Sequence, residues 1–186
     1  YDFDGTIYSG DSTIDFYLYC LKHNIFLIRF LPVQILYLIK YKMKLVEKLK
    51  FKEKFFSFLK GIKDIDKEVE LFWDKNEKKI RYELIKNSEN TKYIISASPE
   101  FLLQNISKKI GDFKLIASKV DKKTGNFIGK NCYGEEKVKR LKEEIGESFE
   151  IEKFYSDSIS DEYLARLSKE SYWVNREGKI EKWKNI

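Results

Sequence analysis

The chain has 186 residues, of which 42% are hydrophobic and 16% aromatic, and its formal net charge is +6. A chain of this length and composition folds around its own core. Its two cysteines exclude a disulfide scaffold and a tetrathiolate zinc site, and its one histidine excludes chemistry that needs two imidazoles. The basic residues are mostly lysines scattered among glutamates, a pattern typical of a solvated surface, so we expect no nucleic-acid partner.

The first residues, Tyr1-Asp2-Phe3-Asp4-Gly5-Thr6, form an acidic motif and lack the basic and apolar run of a signal peptide. Two carboxylates two positions apart can reach one site if the chain turns after the first, and Gly5 permits a close turn. One carboxylate of such a pair can attack a phosphoryl group while the other donates a proton to the leaving oxygen. An Asp-Gly pair is also common in ordinary tight turns.

Residues 11–90 have a helical pattern in which only Pro32 is a strong helix breaker. Oxygens of Asp11 and Ser12 suit the N-cap of a first helix. Apolar residues then recur at helical spacing, and the resulting stripes most simply pack on one another as a helical bundle. The stripes are Ile14, Tyr17, Leu18 and Leu21; Leu45, Leu49, Phe55, Phe56 and Leu59, ended by Gly61; and Ile65, Val69, Phe72, Ile80 and Leu84.

Residues 25–39 are the most apolar segment of this helical region. The segment is shorter than the ~20 apolar residues that a membrane span needs, and Arg29, Pro32 and Gln34 interrupt it. We predict one helix, or two helices broken at Pro32. The segment is either the buried core of a small helical subdomain or a helix lying on a membrane surface.

From residue 91 onward, short apolar runs alternate with helical patterns. This alternation predicts an α/β fold with a doubly wound parallel sheet, in which functional side chains collect at the carboxyl ends of the strands. Residues 1–10 and 91–186 would form this core domain, and residues 11–90 a helical bundle inserted into it. The predicted strands are 93–95, 113–118, 151–155 and 171–174, with a turn at 121–125 and a returning segment at 126–133. Gly134 then precedes a predicted helix that ends at about residue 145.

Polar side chains of definite types follow these predicted strands or begin the next helix. The Ser96 hydroxyl can bind a phosphate oxygen, and the Lys137 ammonium can place a positive charge beside a transferring phosphoryl group. Asp157 and Asp161 offer the hard carboxylate oxygens that Mg²⁺ prefers. Together with the first acidic motif, they indicate a phosphoryl-transfer site.

Each of these side chains taken alone also has an ordinary structural interpretation. Ser96 or, better, Ser98 suits the N-cap of the helix that follows Pro99. Lys137 has further lysines after it in the same helix and suits a solvated surface. Asp161 suits the cap of the next helix. Only the combination and order of the residues favour a shared site.

Asp2-x-Asp4-Gly5-Thr6, Ser96, Lys137 and Asp157-xxx-Asp161, in this order, resemble the four motifs of the haloacid dehalogenase superfamily of phosphohydrolases. The resemblance covers the whole chain, and the helical segment falls where that superfamily carries its type 1 cap. The residues around the last three motifs look most like subfamily IB, the phosphoserine phosphatase-like branch. The resemblance implies a Mg²⁺-dependent phosphomonoester phosphatase. We expect a cytoplasmic location, with a position peripheral to the membrane as the alternative.

The resemblance also implies a role for each motif residue. Asp2 would be the nucleophile that forms an aspartyl-phosphate, and Asp4 the general acid and then the general base. Mg²⁺ would be bound by the Asp2 carboxylate, the Asp4 carbonyl and Asp157, with Ser158 and Asp161 in support. A carboxylate at position 4 separates phosphatases from dehalogenases and P-type ATPases. The residues implied to bind substrate are Thr6, Asp11, Ser96, Ala97 and Lys137.

The nucleophile of this superfamily stands at the end of a central strand, so we expect further residues to precede Tyr1.

A non-catalytic protein that binds a phosphorylated ligand is the alternative from another functional class. It would be favoured by loss of Asp2, Asp4 or Asp157, and all three are present.

Two substrates remain open. Relatives that act on phosphoserine look to use an acidic residue after the first motif, which Asp11 matches, and a cap arginine, where Phe58 aligns instead. Lysine replaces a bidentate guanidinium poorly, so the missing cap arginine favours other esters over phosphoserine as the substrate. The apolar residues 25–39 and the ending 171–175 look similar to a phosphatidylglycerophosphate phosphatase of the same subfamily, which favours a lipid or otherwise apolar phosphomonoester.

Overall fold

The fold is mixed α/β, with helices between residues 12 and 84 and strands alternating with helices from residue 93 onward. The structure, a computed structural model, describes residues 1–85 and 90–184. The α-helices are α1 (Ser12–His23), α2 (Leu31–Lys42), α3 (Lys48–Phe55), α4 (Ile65–Asn76), α5 (Glu100–Lys109), α6 (Glu135–Ile145) and α7 (Glu162–Arg166). Short 3₁₀ helices span Ile25–Phe30, Phe56–Gly61, Glu77–Lys79, Tyr82–Leu84 and Ile159–Asp161. The strands are β1 (Tyr93–Pro99), β2 (Lys114–Ser118), β3 (Ile151–Ser156), β4 (Ser168–Val174) and β5 (Ile180–Lys182).

Two parallel strand pairs form the sheet region, which confirms the predicted α/β class with parallel strands. β1 pairs with β2 so that Ile95 lies opposite Ile116. β3 pairs with β4 so that Tyr155 lies opposite Tyr172. β5 adds an antiparallel strand to β4 that the sequence pattern did not predict.

The first two residues connect the two strand pairs. The Tyr1 carbonyl accepts a hydrogen bond from the Ile95 N–H (2.9 Å), and the Asp2 N–H donates to the Tyr155 carbonyl (2.9 Å). Residues 1–2 therefore lie between β1 and β3. The acidic motif that follows leaves this position beside the carboxyl ends of both strands.

The start of the helical region is as predicted. The Asp11 carboxylate caps α1 by accepting the Ile14 N–H (2.9 Å). Pro32 lies in the first turn of α2, directly after the 3₁₀ helix Ile25–Phe30, so the apolar segment forms two helices.

Within residues 1–85 and 90–184, no helix is both long and apolar enough to cross a bilayer.

The third predicted helix is shorter than its apolar stripe suggested. α4 ends at Asn76, and Ile80 lies beyond it in extended backbone. There Ile80 forms an antiparallel bridge with Tyr8, and the Arg81 N–H donates to the Ile7 carbonyl (2.8 Å). Residues 80 and 81 thus pair with the segment that follows the first motif and do not continue α4. The predicted domain boundary at residue 90 follows residues 86–89, which lie outside the described part of the chain.

Two other details of the prediction were wrong. Ile14 and Leu18 are exposed, because α1 buries the neighbouring face that carries Phe16, Tyr17 and Cys20. The segment 126–133 forms no strand and contributes only an isolated bridge between Val120 and Phe127.

The largest apolar core joins the helical region to the strands through aromatic side chains. Trp73 of α4 packs edge-on against Phe3, with ring centroids 5.9 Å apart, and donates its indole N–H to the Leu102 carbonyl (2.7 Å). Phe16 of α1 packs edge-on against Phe72 of α4 (5.5 Å). Burial of these large rings holds α1 and α4 against α5 and the first motif.

Candidate active site

A cavity of about 1010 Å³ opens at the carboxyl ends of β1 and β3. Residues from all four predicted motifs line it, although they are separated by up to 159 positions in the sequence, from Asp2 to Asp161. The predicted site residues found in its wall are Asp2, Asp4, Asp11, Ser96, Ala97, Lys137, Asp157, Ser158 and Asp161. Thr6 is the exception, since it is fully buried outside the cavity wall.

Lys137 is buried between two carboxylates. Its Nζ lies 2.8 Å from Asp2 Oδ1 and 2.8 Å from Asp161 Oδ2. Burial alone would lower the pKa of Lys137, but Asp2 and Asp161 outweigh it and raise this pKa above its ordinary value, so the side chain is an ammonium. The alternative interpretation of Lys137 as a solvated surface lysine is therefore wrong.

Asp161 stands at the N-cap position of α7, but its side chain makes no capping hydrogen bond. Its Oδ2 instead accepts from Lys137 Nζ and from the Ser156 hydroxyl (2.7 Å). Burial raises the pKa of Asp161, and the nearby Asp2 raises it further. The interpretation of Asp161 as a helix cap is therefore wrong, and its side chain orients Lys137 instead.

Asp4 is held by two donors from different elements. Its Oδ1 accepts the Ser12 N–H (2.6 Å), and its Oδ2 accepts the Ser98 hydroxyl (2.5 Å). Burial raises the pKa of Asp4 to about 7, and Asp11 adds to this rise against the opposing effect of the two hydrogen bonds. A carboxyl with such a pKa can both donate and accept a proton near neutral pH.

The alternative interpretation of Ser98 as the N-cap of α5 is wrong. The N-cap residue of α5 is Pro99, which makes no side-chain capping bond. The Ser98 hydroxyl contacts Asp4 and lies 2.8 Å from the Thr13 hydroxyl. Ser96 instead accepts the Ser98 N–H through its side-chain oxygen (3.1 Å), so the two serines stabilise the irregular end of β1.

Asp157 lies against the backbone of the first motif. A Cβ atom placed on Gly5 would lie 1.8 Å from Asp157 Oδ2, so only glycine lets this carboxylate approach the turn. Gly5 also has a φ of +72°, which favours glycine. Burial raises the pKa of Asp157 to about 6, with repulsion from Asp2 as the next cause.

These groups fit Mg²⁺, which needs only one or two protein carboxylates and completes its shell with backbone and water oxygens. The carboxylates of Asp2 and Asp157 repel each other, and a divalent cation would relieve that repulsion. Asp161 Oδ1 is buried without a hydrogen-bond partner among the described residues, which leaves an acceptor for a water ligand. No group of three or more His, Cys, Asp and Glu side chains in residues 1–85 and 90–184 is arranged as a metal site. Binding would therefore depend on backbone and water oxygens as well.

Arg81 fixes the turn of the first motif, a role that the sequence pattern did not indicate. Its buried guanidinium donates to the carbonyls of Gly5 (2.5 Å) and Thr6 (3.0 Å). It also donates to the Arg176 carbonyl (2.7 Å) near the carboxyl-terminal strands. An isolated arginine within a predicted helix gives no signal for these contacts.

The part of the cavity wall that the helical region supplies is largely apolar. It is formed by α2 and α3 together with the side of α1 that carries Ile14. Phe58, aligned with the cap arginine of phosphoserine-specific relatives, is completely buried in the core and does not reach this wall. The apolar and aromatic residues of the α2–α3 wall are Leu31, Ile35, Leu38, Tyr41, Phe51 and Phe55.

Comparison with known proteins identifies a similar fold and a family. A crystal structure of a protein of unknown function from Bordetella pertussis Tohama I is similar to the chain, with a TM-score of 0.71 and 17% sequence identity. The likeness covers 91% of this chain and 86% of that one, and at this identity it shows the fold alone. No match was found among curated proteins. A family model described as haloacid dehalogenase-like hydrolase matches residues 1–166. The chain therefore belongs to the haloacid dehalogenase-like hydrolase family.

Proposed function

We propose that this chain is a Mg²⁺-dependent phosphomonoesterase that forms an aspartyl-phosphate intermediate on a small or lipid-like phosphate ester. The observation that carries this proposal is the convergence of Asp2, Asp4, Lys137 and Asp157 on one cavity. A nucleophile, a proton donor and positive charge are the three groups that phosphate ester hydrolysis requires there.

We also assign the chain to the phosphoserine phosphatase-like subfamily IB, with residues 11–90 as an inserted helical cap and residues 1–10 and 91–186 as the catalytic core. Two observations support a cap. The helices α2 and α3 supply part of the wall of the cavity that the polar motifs also line, and the chain enters and leaves this helical region beside the first motif.

In the first step, an Asp2 carboxylate oxygen attacks the phosphorus of the ester. The bond from phosphorus to the ester oxygen breaks, and Asp4, in its protonated form, donates its proton to that oxygen. Lys137 holds Asp2 in position through its ion pair and offsets the negative charge of the phosphoryl group. The Ser96 hydroxyl can donate to a phosphate oxygen.

In the second step, the Asp4 carboxylate removes a proton from water as that water attacks the phosphorus of the aspartyl-phosphate. The bond to Asp2 breaks, inorganic phosphate leaves, and Asp4 is protonated again for the next cycle. A pKa raised to about 7 by burial supports this alternation, because both protonation states are accessible near neutral pH.

The carboxylates of Asp2 and Asp157 and the backbone carbonyl of Asp4 would bind Mg²⁺, with Ser158 and Asp161 in support. When bound, the ion supplies positive charge that lets an anionic nucleophile approach a phosphate dianion.

The test is release of inorganic phosphate from phenyl phosphate. We expect release with Mg²⁺, none in excess chelator, and none from Asp2→Asn with Mg²⁺. Asp74→Asn is the matched control, because Asp74 is an exposed carboxylate on α4 away from the cavity. Equal rates in chelator would contradict the metal requirement, and an active Asp2→Asn variant would contradict the nucleophile.

A second candidate narrows the substrate to a lipid phosphate reached from an anionic membrane surface. Residues 16–46 contain no aspartate or glutamate but five lysines and arginines. The same segment exposes large apolar side chains, of which Phe26 is 78% exposed. Ile35 and Leu38 are both exposed and part of the cavity wall, so this apolar surface continues into the cavity. Exposed apolar side chains flanked by basic ones favour an anionic bilayer as the occupant.

Cosedimentation with phosphatidylglycerol–phosphatidylcholine vesicles tests this candidate. We expect binding that weakens in high salt and in Phe26→Asp. Ile128→Asp, which places the same charge at another exposed apolar residue (59% exposed), should leave binding unchanged. Failure to bind the anionic vesicles would exclude the membrane candidate without affecting the phosphatase proposal.

A further inference from the structure

One face of α3 places two lysines in the cavity wall. Lys48 and Lys52 are four residues apart, so they lie on the same side of the helix. Phe51 and Phe55, at the intermediate and following positions of that face, also line the cavity. The α3 face therefore combines two positive charges with two aromatic rings.

Lys52 is hydrogen-bonded to the end of β1, beside Ser96, the proposed phosphate-binding serine. Its Nζ donates to the Ala97 carbonyl (3.0 Å) and to the Asn131 side-chain oxygen (2.9 Å). Both acceptors are neutral. Because an ammonium has three N–H donors, one donor is left for a ligand.

Lys48 lies beside Lys52 and is also without a carboxylate. Its Nζ is 3.4 Å from the centre of the Tyr133 ring, a cation–π contact at the cavity wall. In the described part of the chain, neither lysine forms an ion pair, whereas the nearby exposed Lys50 pairs with Glu53. The cavity wall thus contains two lysines that form no ion pair with a carboxylate of the described residues.

Burial destabilises the charged form of the Lys52 side chain. Burial lowers the pKa of Lys52 to about 8, and repulsion from Lys48 is the next cause, against opposing attraction from Asp11 and Asp4. Such a shift means that the charged form is destabilised in the free protein, and an anionic ligand would relieve this.

We propose, resting on the phosphatase function above, that Lys48 and Lys52 form a second anion subsite. The substrate is then a phosphomonoester whose organic part carries another anionic group, a carboxylate or a second phosphate. The scissile phosphoryl group has Lys137 as its own cation, and Lys52 contacts none of the carboxylates around it within ion-pair distance.

Three aryl phosphates that differ only at the far end of the ring test this subsite. Phenyl phosphate carries the ester alone, and 4-carboxyphenyl phosphate adds a carboxylate; 1,4-phenylene bisphosphate adds a phosphate instead. We expect the KM of the wild-type protein to be about tenfold lower for the esters with a second anionic group, as for a charge-assisted hydrogen bond. Comparing the carboxylate with the second phosphate shows which anion the subsite prefers.

Substitution of the lysines should remove this preference. In Lys52→Met and in Lys48→Met, the KM values of the three esters should converge, whereas Lys52→Arg should keep them apart. Lys50→Met, which removes a neighbouring charge outside the cavity wall, should keep the wild-type preference. If Lys52→Met does not fold, Lys48→Met provides the same test and leaves the Lys52 hydrogen bonds in place.

The outcomes separate the two proposals. A wild-type protein that hydrolyses phenyl phosphate with no preference for the second anionic group overturns the subsite only. Equal weakening of all three esters by Lys52→Met also overturns it, because Lys52 would then act on the shared phosphoryl group. A protein that hydrolyses none of the esters contradicts the phosphatase proposal, and the subsite inference fails with it.

Discussion

Lys137 Nζ and Asp2 Oδ1 lie 2.8 Å apart although 135 positions separate the two residues in sequence. The ion pair joins the start of α6 to the first motif, and both side chains are buried. Its position allows one lysine to orient Asp2, the proposed nucleophile, and to offset negative charge at the same time. The pair also makes the site sensitive to loss of either partner, because an uncompensated buried charge is costly.

Lys137→Met should abolish phosphate release and destabilise the fold. The variant leaves Asp2 and Asp161 buried without their cation, and breaking a buried pair costs about 3–5 kcal/mol. Urea denaturation measures the loss of unfolding free energy. Lys139→Met is the control, because Lys139 lies on the exposed side of the same helix, where its pair with Glu143 is solvated. Wild-type activity in Lys137→Met would contradict its role.

Gly5→Ala should abolish the response to Mg²⁺. The added Cβ would lie 1.8 Å from Asp157 Oδ2, so the carboxylate must leave the turn of the first motif. Gly129→Ala is a matched control, since Gly129 has a similar φ of +85° but no atom within 4 Å of its Cβ position. Both variants carry a backbone cost of about 1–2 kcal/mol. Titration of activity with Mg²⁺ should separate them, and equal titrations would contradict the proposed metal position.

Arg81→Lys should lower both stability and activity. An ammonium cannot reproduce the planar fork that donates to the carbonyls of Gly5, Thr6 and Arg176. Each carbonyl left without a donor in a buried place costs about 1–3 kcal/mol. We expect a lower kcat when equal concentrations of folded variant and folded wild type are compared. Circular dichroism checks that both proteins are folded. Arg29→Lys, whose guanidinium stacks on Phe30 outside the cavity, should have wild-type activity.

The sequence predicted most of the motif residues that line the cavity, and Thr6 is the exception. Alternating strands and helices place Ser96 and Asp157 at the carboxyl ends of parallel strands, and such ends meet at one edge. Asp2 joins them because residues 1–2 hydrogen-bond to β1 and β3. The positions of these residues therefore follow from pattern and topology.

Other parts of the site depend on irregular backbone and long-range pairing, which local patterns do not encode. The pairing of β1 with β2 shifts register between Ser96 and Pro99, and this irregularity accompanies the turn of Ser98 toward Asp4. The end of α4 is set by the bridge between Ile80 and Tyr8, not by a local helix-stop signal. Arg81 reaches Gly5 across 76 positions for the same reason.

Asp4→Asn should allow the first step to occur slowly and block the second. The amide can still accept the Ser12 N–H through its oxygen, so the geometry of the loop is retained. It cannot remove a proton from water, so the aspartyl-phosphate should accumulate. Acid-quenched protein treated with a ³²P-labelled ester should contain stable label in Asp4→Asn and little in wild type. Absence of label together with normal turnover would reassign the general base.

The preference for a second anionic group should be lost at alkaline pH. Burial lowers the pKa of Lys52 to about 8, with Lys48 adding to the shift and Asp11 and Asp4 opposing it, so the ammonium loses its proton as the pH rises past this value. The KM for 4-carboxyphenyl phosphate should then rise toward that of phenyl phosphate between about pH 7 and 9. The phosphate group stays dianionic across this range, because its second pKa is about 6.

Lys52→Arg separates this ionisation from other effects of alkaline pH. A guanidinium stays charged to far higher pH, so the variant should keep its preference for the carboxylated ester throughout the range. KM values for both esters, measured in wild type and variant at each pH, give the comparison. A preference that falls equally in both proteins would show that a group other than Lys52 controls it, since the arginine has no proton to lose there.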